Sequence, residues 1–170
     1  MRPMLRILVL LLAGLGAGSA ALAEMPPLPA PGASLALPDV TFVNASAIPT
    51  RPEEQERARL LTRMLRERFA QEGFVLADLG PVAADLDRIV NPAACNGCEI
   101  RIARKAGAEY VAVGQVRKIS ELILSMDLVL RETGEGRILR AMAVDIRSNT
   151  DQSWTRGMRY VLTYGIFAED

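Results

Sequence analysis

Residues 110–146 read YVAVGQVRKISELILSMDLVLRETGEGRILRAMAVDI, and their period of two decides the fold class. Leu122, Leu124, Met126, Leu128 and Leu130 fall on one face, opposite Ser125 and Asp127. Glu132-Thr133-Gly134-Glu135-Gly136 supplies a hairpin turn. Beyond it Ile138, Met142, Val144 and Ile146 again share a face. With the apolar run Tyr110–Val116 ahead of them, these segments predict three strands in an antiparallel meander. One face is core and the other partly wet.

Upstream of the meander the period is 3.6. Pro52–Gln71 predicts a long helix carrying Ala58, Leu61, Met64, Leu65 and Phe69, with a capping box at Thr50 and Glu53 and a stop at Gly73. Val40–Asn44 and Phe74–Leu76 read as short strands on either side of it. Gly80-Pro81 breaks the chain before a brief helical stretch, Val82–Val90. A loop over Asn91–Cys98 and a short helix, Glu99–Ala106, complete the approach to the meander. After the meander a last helix begins near Asp151, a candidate N-cap, and carries Trp154, Met158, Val161, Leu162 and Ile166 toward the sheet. Early alternation and late clustering of strands imply an α+β (α/β-like) fold, a mixed sheet with a C-terminal antiparallel meander flanked by helices.

The start of the chain carries an address. Arg2 and Arg6, the apolar run Ile7–Leu12 and Ala21-Leu22-Ala23 read as a secretory signal cleaved after Ala23, which predicts a periplasmic protein. No Cys near the cleavage site offers a point for lipid attachment, and no later stretch is long enough to span a bilayer. Pro26, Pro27, Pro29, Pro31 and Pro38 then suggest an extended linker over residues 24–38, with residues 39–170 forming one domain.

Composition narrows the chemistry. The 170 residues contain no histidine, which removes the usual general base and the commonest metal ligand. Without residues 1–23 the chain keeps 18 basic and 20 acidic side chains, a balance that does not favour nucleic acid. The arginines at 57, 59, 63, 66 and 68 alternate with acids, and pairs such as Glu53–Arg57 predict a solvated helix face. No catalytic residue, metal site or cofactor is expected.

Cys95-Asn96-Gly97-Cys98 is the one constellation with evident reactivity. In an exported protein two readings stand beside each other: a local structural disulfide, or a redox dithiol at the start of a helix whose dipole lowers a thiol pKa. A second candidate lies at Arg147, Asn149, Asp151, Trp154 and Arg156, the densest polar and aromatic run outside a periodic pattern. Its residue types suit helix capping and a core tryptophan, and equally a partner surface or an anion site. Tyr160 and Tyr164, four apart on the same helix, read as packing.

Cys95-x-Gly97-Cys98-Glu99, Ile102-Ala103-Arg104, Gly107-Ala108-Glu109-Tyr110 and the run Asp145-Ile146-Arg147-x-Asn149-Thr150-Asp151-x-Ser153-Trp154 together resemble an uncharacterised family of secreted proteobacterial proteins known as a domain of unknown function. That resemblance implies an association with periplasmic quinoprotein alcohol oxidation. More remotely, the Gly-Ala-Glu-Tyr strand entry followed by a meander is similar to the TolB amino-terminal domain and the CsgG-like fold, which implies a non-catalytic interaction module of the cell envelope with a protein partner. The alternatives are a thiol–disulfide redox protein using Cys95 and Cys98, and small-ligand or anion binding near Asp151–Gly157.

Overall fold

A computed structural model describes residues 26–168; the signal segment 1–23 lies outside them. In chain order the elements are β1 (Ser34–Ala36), β2 (Thr41–Asn44), α1 (Pro52–Gln71), β3 (Val75–Leu76), α2 (Ala83–Leu86), α3 (Cys98–Lys105), β4 (Tyr110–Lys118), β5 (Ile123–Glu132), β6 (Ile138–Arg147) and α4 (Asp151–Val161). Single 3₁₀ turns occur at Gly80–Val82 and Pro92–Ala94, and α4 runs on into a π-helical turn over Leu162–Ile166.

The sheet order is β3-β1-β4-β5-β6, and β2 also pairs with β4. β1 meets β4 at Tyr110 and Val111, and β2 meets it further along, at Gln115–Lys118. The two short strands thus lie end to end against one long one, interrupted where Pro38 withholds a backbone donor. Contacts among β1, β2, β3 and β4 are parallel, while β4-β5-β6 form the expected antiparallel meander. The mixed α+β architecture read from the hydrophobic pattern is the one observed.

One face of the sheet carries the main core. Leu124, Met126, Leu128 and Leu130 of β5 are fully buried beneath Leu61, Leu65 and Phe69 of α1 and Trp154, Met158 and Val161 of α4. Phe69 sits edge-on between Phe74 and Phe167, at centroid distances of 5.3 and 5.0 Å. Gly157 lets α4 approach the sheet closely: a Cβ there would stand 2.5 Å from Ile146 Cγ2. A smaller core on the other face joins Ala36, Val111 and Val113 to Ala103 and Ala108. That second layer covers β1 and β4 only, so Ala141, Ala143, Asp145 and Arg147 of β6 are exposed.

Several local expectations change. Part of the proline-rich stretch is not a linker: Ser34–Ala36 is a strand between β3 and β4, with Leu35 and Ala36 fully buried. Leu122 and Ile138 face solvent instead of the core. Leu122 precedes the paired part of β5, and a bulge opposite Leu130/Arg131 inserts one residue into β6, turning Leu139 inward and Ile138 outward. The α1 cap is displaced by one residue: the Arg51 N–H donates to Glu54 Oε2 at 2.8 Å, while Thr50 Oγ1 accepts from Asn44. At α4 the cap is Thr150, which accepts from the Ser153 N–H, with Asp151 the first helical residue. The helical stretch expected over Val82–Val90 reduces to the turn Gly80–Val82 and the single-turn α2.

Candidate functional site

The polar run after β6 divides into a buried half and an exposed half. Asn149 and Trp154 turn inward to a polar cluster that binds α1, β4 and α4 together, and the exposed Asp151 joins it from the surface through Arg57. Glu54 and Lys118 are each 0 % exposed. Lys118 Nζ donates to Glu54 Oε1 at 2.7 Å and meets Glu121 Oε1 at 2.5 Å. Asn149 Nδ2 donates to Glu54 Oε1, and Asn149 Oδ1 accepts from the Trp154 indole N–H at 3.0 Å. Arg57 closes the arrangement, donating from Nη1 to Asn149 Oδ1 at 3.2 Å and from Nε to Asp151 Oδ1 at 2.7 Å. Its ion pair is therefore with Asp151 rather than the expected Glu53.

The electrostatics of this cluster follow from competition. Burial pushes the Glu54 carboxyl up, but hydrogen bonds from Lys118, the Arg51 N–H and Asn149 outweigh it, and the net shift is downward. Burial likewise disfavours the Lys118 ammonium, and its bonds to Glu121 and Glu54 outweigh that and raise its pKa. The Lys118 bond leads the lowering of Glu121. All three groups are charged through the neutral range, and each is spoken for within the fold. Asn149 and Trp154 thereby support the fold without presenting a free surface, while Asp151 is exposed and paired with Arg57.

Arg147 and Arg156 are the exposed half. They flank a groove of about 420 Å³ lined by Val144, Asp145, Ile146 and Arg147 of β6 and by Ser153, Arg156, Gly157 and Tyr160 of α4. Neither arginine has a carboxylate of a described residue within 4.0 Å. The Ser153 hydroxyl donates to the Arg147 carbonyl and pins the end of β6 to α4. Tyr160 and Tyr164 stack with centroids 4.8 Å apart and are 49 and 64 % exposed, so they pack on each other at the surface and not in the core. Position four apart on a helix correctly pairs them; nothing in the sequence says which way that face points.

Cys95 and Cys98 are bonded to each other, with Cα atoms 5.5 Å apart. Gly97 at φ +86° turns the loop into α3, which begins at Cys98. The loop is tethered to the sheet through Asn91, whose Nδ2 donates to Gln115 Oε1 at 2.7 Å, and Gln115 in turn donates to Asp127. The Glu99 carboxylate lies 3.3 Å from Cys95 Sγ and is itself buried, with Arg131 Nε 3.5 Å away. Cys95, Cys98 and Glu99 group their donor atoms within 4.8 Å, but sulfurs joined to each other are not thiolate ligands.

The mixed sheet flanked by helices is an α+β fold similar to that of LpoB C-terminal domains. The chain belongs to the DUF3280 family, described as "Protein of unknown function (DUF2380)", whose profile matches residues 33–166. The match begins one residue before β1. Among solved structures it is similar to the LpoB C-terminal domain from Salmonella enterica, with a TM-score of 0.50 and 20% identity over 69% of this chain and 84% of that one. It is also similar to the NMR structure of Escherichia coli LpoB, with a TM-score of 0.50 and 16% identity over 86% of this chain and 85% of that one. At these identities the likeness is one of fold. No curated protein matches the chain. No described helix is long and apolar enough to cross a membrane.

Proposed function

We propose that this protein is a non-catalytic interaction or accessory protein of the cell envelope, exported to the periplasm by cleavage after Ala23 and acting through the face that β6 and α4 share. The observation that carries the reading is the groove between those elements, bordered by two arginines without a described carboxylate partner and by an exposed tyrosine pair. The buried Glu54 and Lys118 are matched within the fold; the two groove arginines are available to another molecule. The LpoB-like fold is compatible with such a role. The export signal at Arg2–Ala23 supports the compartment, and intact mass of the periplasmic form tests it. The quinoprotein association gains no support from fold or comparisons and is not part of the proposal.

The redox alternative places function at Cys95–Cys98. The Glu99 carboxylate, 3.3 Å from the partly exposed Cys95 Sγ, repels the incoming thiolate that exchange at this pair requires. Affinity purification of the tagged protein from periplasm separates the two readings. In the interaction reading the co-purifying protein is retained by the Cys95→Ser/Cys98→Ser variant and lost from Arg147→Glu/Arg156→Glu. Retention only as a mixed disulfide trapped by Cys98→Ser would move the function to the thiols.

A further inference from the structure

We infer that the β6 groove takes an extended, acidic segment of a partner protein, which adds to the sheet as a strand. This rests on the interaction reading and specifies its chemistry. Val144, Asp145, Ile146 and Arg147 are consecutive strand residues whose side chains point alternately to opposite faces, yet all four line one groove. A groove on either face would collect alternate residues only. This one runs along the strand edge, where the backbone itself is its wall.

That edge is open. Among the described strands β6 bonds β5 on one side and nothing on the other. Its beginning is closed to a newcomer, because the Arg140 guanidinium donates to the Pro26 carbonyl at 2.5 Å and the π-helical turn brings Gly165 onto Met142. Val144–Arg147 remains, four residues or about 13 Å of strand, with the Arg147 carbonyl already taken by the Ser153 hydroxyl and the Asp145 N–H and C=O and the Arg147 N–H facing the edge. Unprotected edges of this kind pair with extended chains.

Charge selects the chain. Arg147 and Arg156 stand at the groove with Asp145 as its one acid. Carboxylates on the incoming strand would meet guanidinium groups with donors to spare, and its alternate residues would lie on Val144, Ile146 and the Tyr160 ring. A basic strand would meet two like charges. The occupant is accordingly an acidic β-strand with apolar residues between its carboxylates.

The probe is a fluorescein-labelled, blocked hexapeptide alternating valine and glutamate, followed by anisotropy and by amide shifts in the full exported protein. Saturable binding is expected, with shifts centred on Val144–Arg147 and affinity reduced roughly tenfold or more in Arg147→Glu/Arg156→Glu. Arg147→Lys/Arg156→Lys should retain part of it. A valine–lysine peptide should not bind, nor should the acidic peptide N-methylated at every residue, which keeps its charge but has no backbone donor on either edge. The N-methylated arm leaves the protein untouched, so it remains decisive if a variant folds poorly. No saturable binding, binding unaffected by N-methylation, or shifts on another face would overturn the inference. If the acidic probe fails while a periplasmic protein still co-purifies and is lost on charge reversal, the interaction reading stands and only the strand-addition mode falls.

Discussion

Replacing Lys118 by methionine removes the fully buried cation of the polar cluster and leaves Glu54, also 0 % exposed, hydrogen-bonded by the Arg51 N–H and Asn149 Nδ2, with the half-exposed Arg51 guanidinium 3.7 Å away. Methionine fills a similar volume, so the loss is electrostatic rather than a cavity. Breaking a buried pair from one side costs about 3–5 kcal/mol. A domain of this size moves roughly 2–4 °C per kcal/mol, so Tm should fall by about 6–20 °C. The sign of the pH dependence follows from the shifts. Glu54 is lowered from its ordinary 4.5, so its contribution is complete above 4.5 and is lost as pH falls through the lowered value. Lys118 is raised from 10.5, so its contribution is complete below 10.5 and is lost as pH rises through the raised value. In the variant, burial acts on Glu54 without the ammonium to oppose it, and protonation relieves the strain. Urea unfolding followed by circular dichroism should therefore show a gap from wild type that narrows between pH 7 and pH 4.5. Glu54→Gln/Lys118→Met should recover at least half of the loss. A loss below about 1 kcal/mol, or a gap constant with pH, would refute the reasoning.

Gly157→Ala brings a methyl group to 2.5 Å from Ile146 Cγ2 and should destabilise by about 1–3 kcal/mol despite the better helix propensity of alanine, read as a drop in Tm. Cys95→Ser/Cys98→Ser should lose only about 2 kcal/mol, because the closed loop is short, and thiol titration in glutathione buffers should place the pair below about −300 mV. Asp127 is raised from 3.8 chiefly by burial, opposed by Gln115 and Arg117; Asp127→Asn should stabilise the protein at pH 7, and the gain should vanish below pH 3.8, where both states bind the proton.

The meander and the long helix were legible because each repeats its period over nine residues or more. β1 was not: three residues are too few to display alternation, and the prolines around them outweigh the pattern, although burial in a parallel sheet is what holds them. The bulge that exchanges Ile138 for Leu139 arises from the pairing with β5 and leaves no local sign in β6. The largest omission was the polar cluster. Lys118 looks like the start of a turn, and its partner Glu54 lies 64 residues away, with Asn149 another 95 from Glu54. No spacing rule joins such residues; only the packing of α1 against the end of β4 does. For the candidate site, sequence reading singled out the segment Arg147–Arg156 but could not divide it. Whether Asn149 and Trp154 point inward, and Arg147 and Arg156 outward, depends on how α4 docks, and the close approach at Gly157 is the one feature that could have hinted at it.

The most direct test of an interaction surface on β6 and α4 is a photo-crosslinking residue placed at Tyr160 in living cells, with the same residue at the exposed Glu67 of α1 as control. The account predicts a discrete crosslinked species from Tyr160 that is absent from Glu67 and disappears in the Arg147→Glu/Arg156→Glu background. Equal labelling at both positions, or none at Tyr160 while the protein is present in the periplasm, would contradict it.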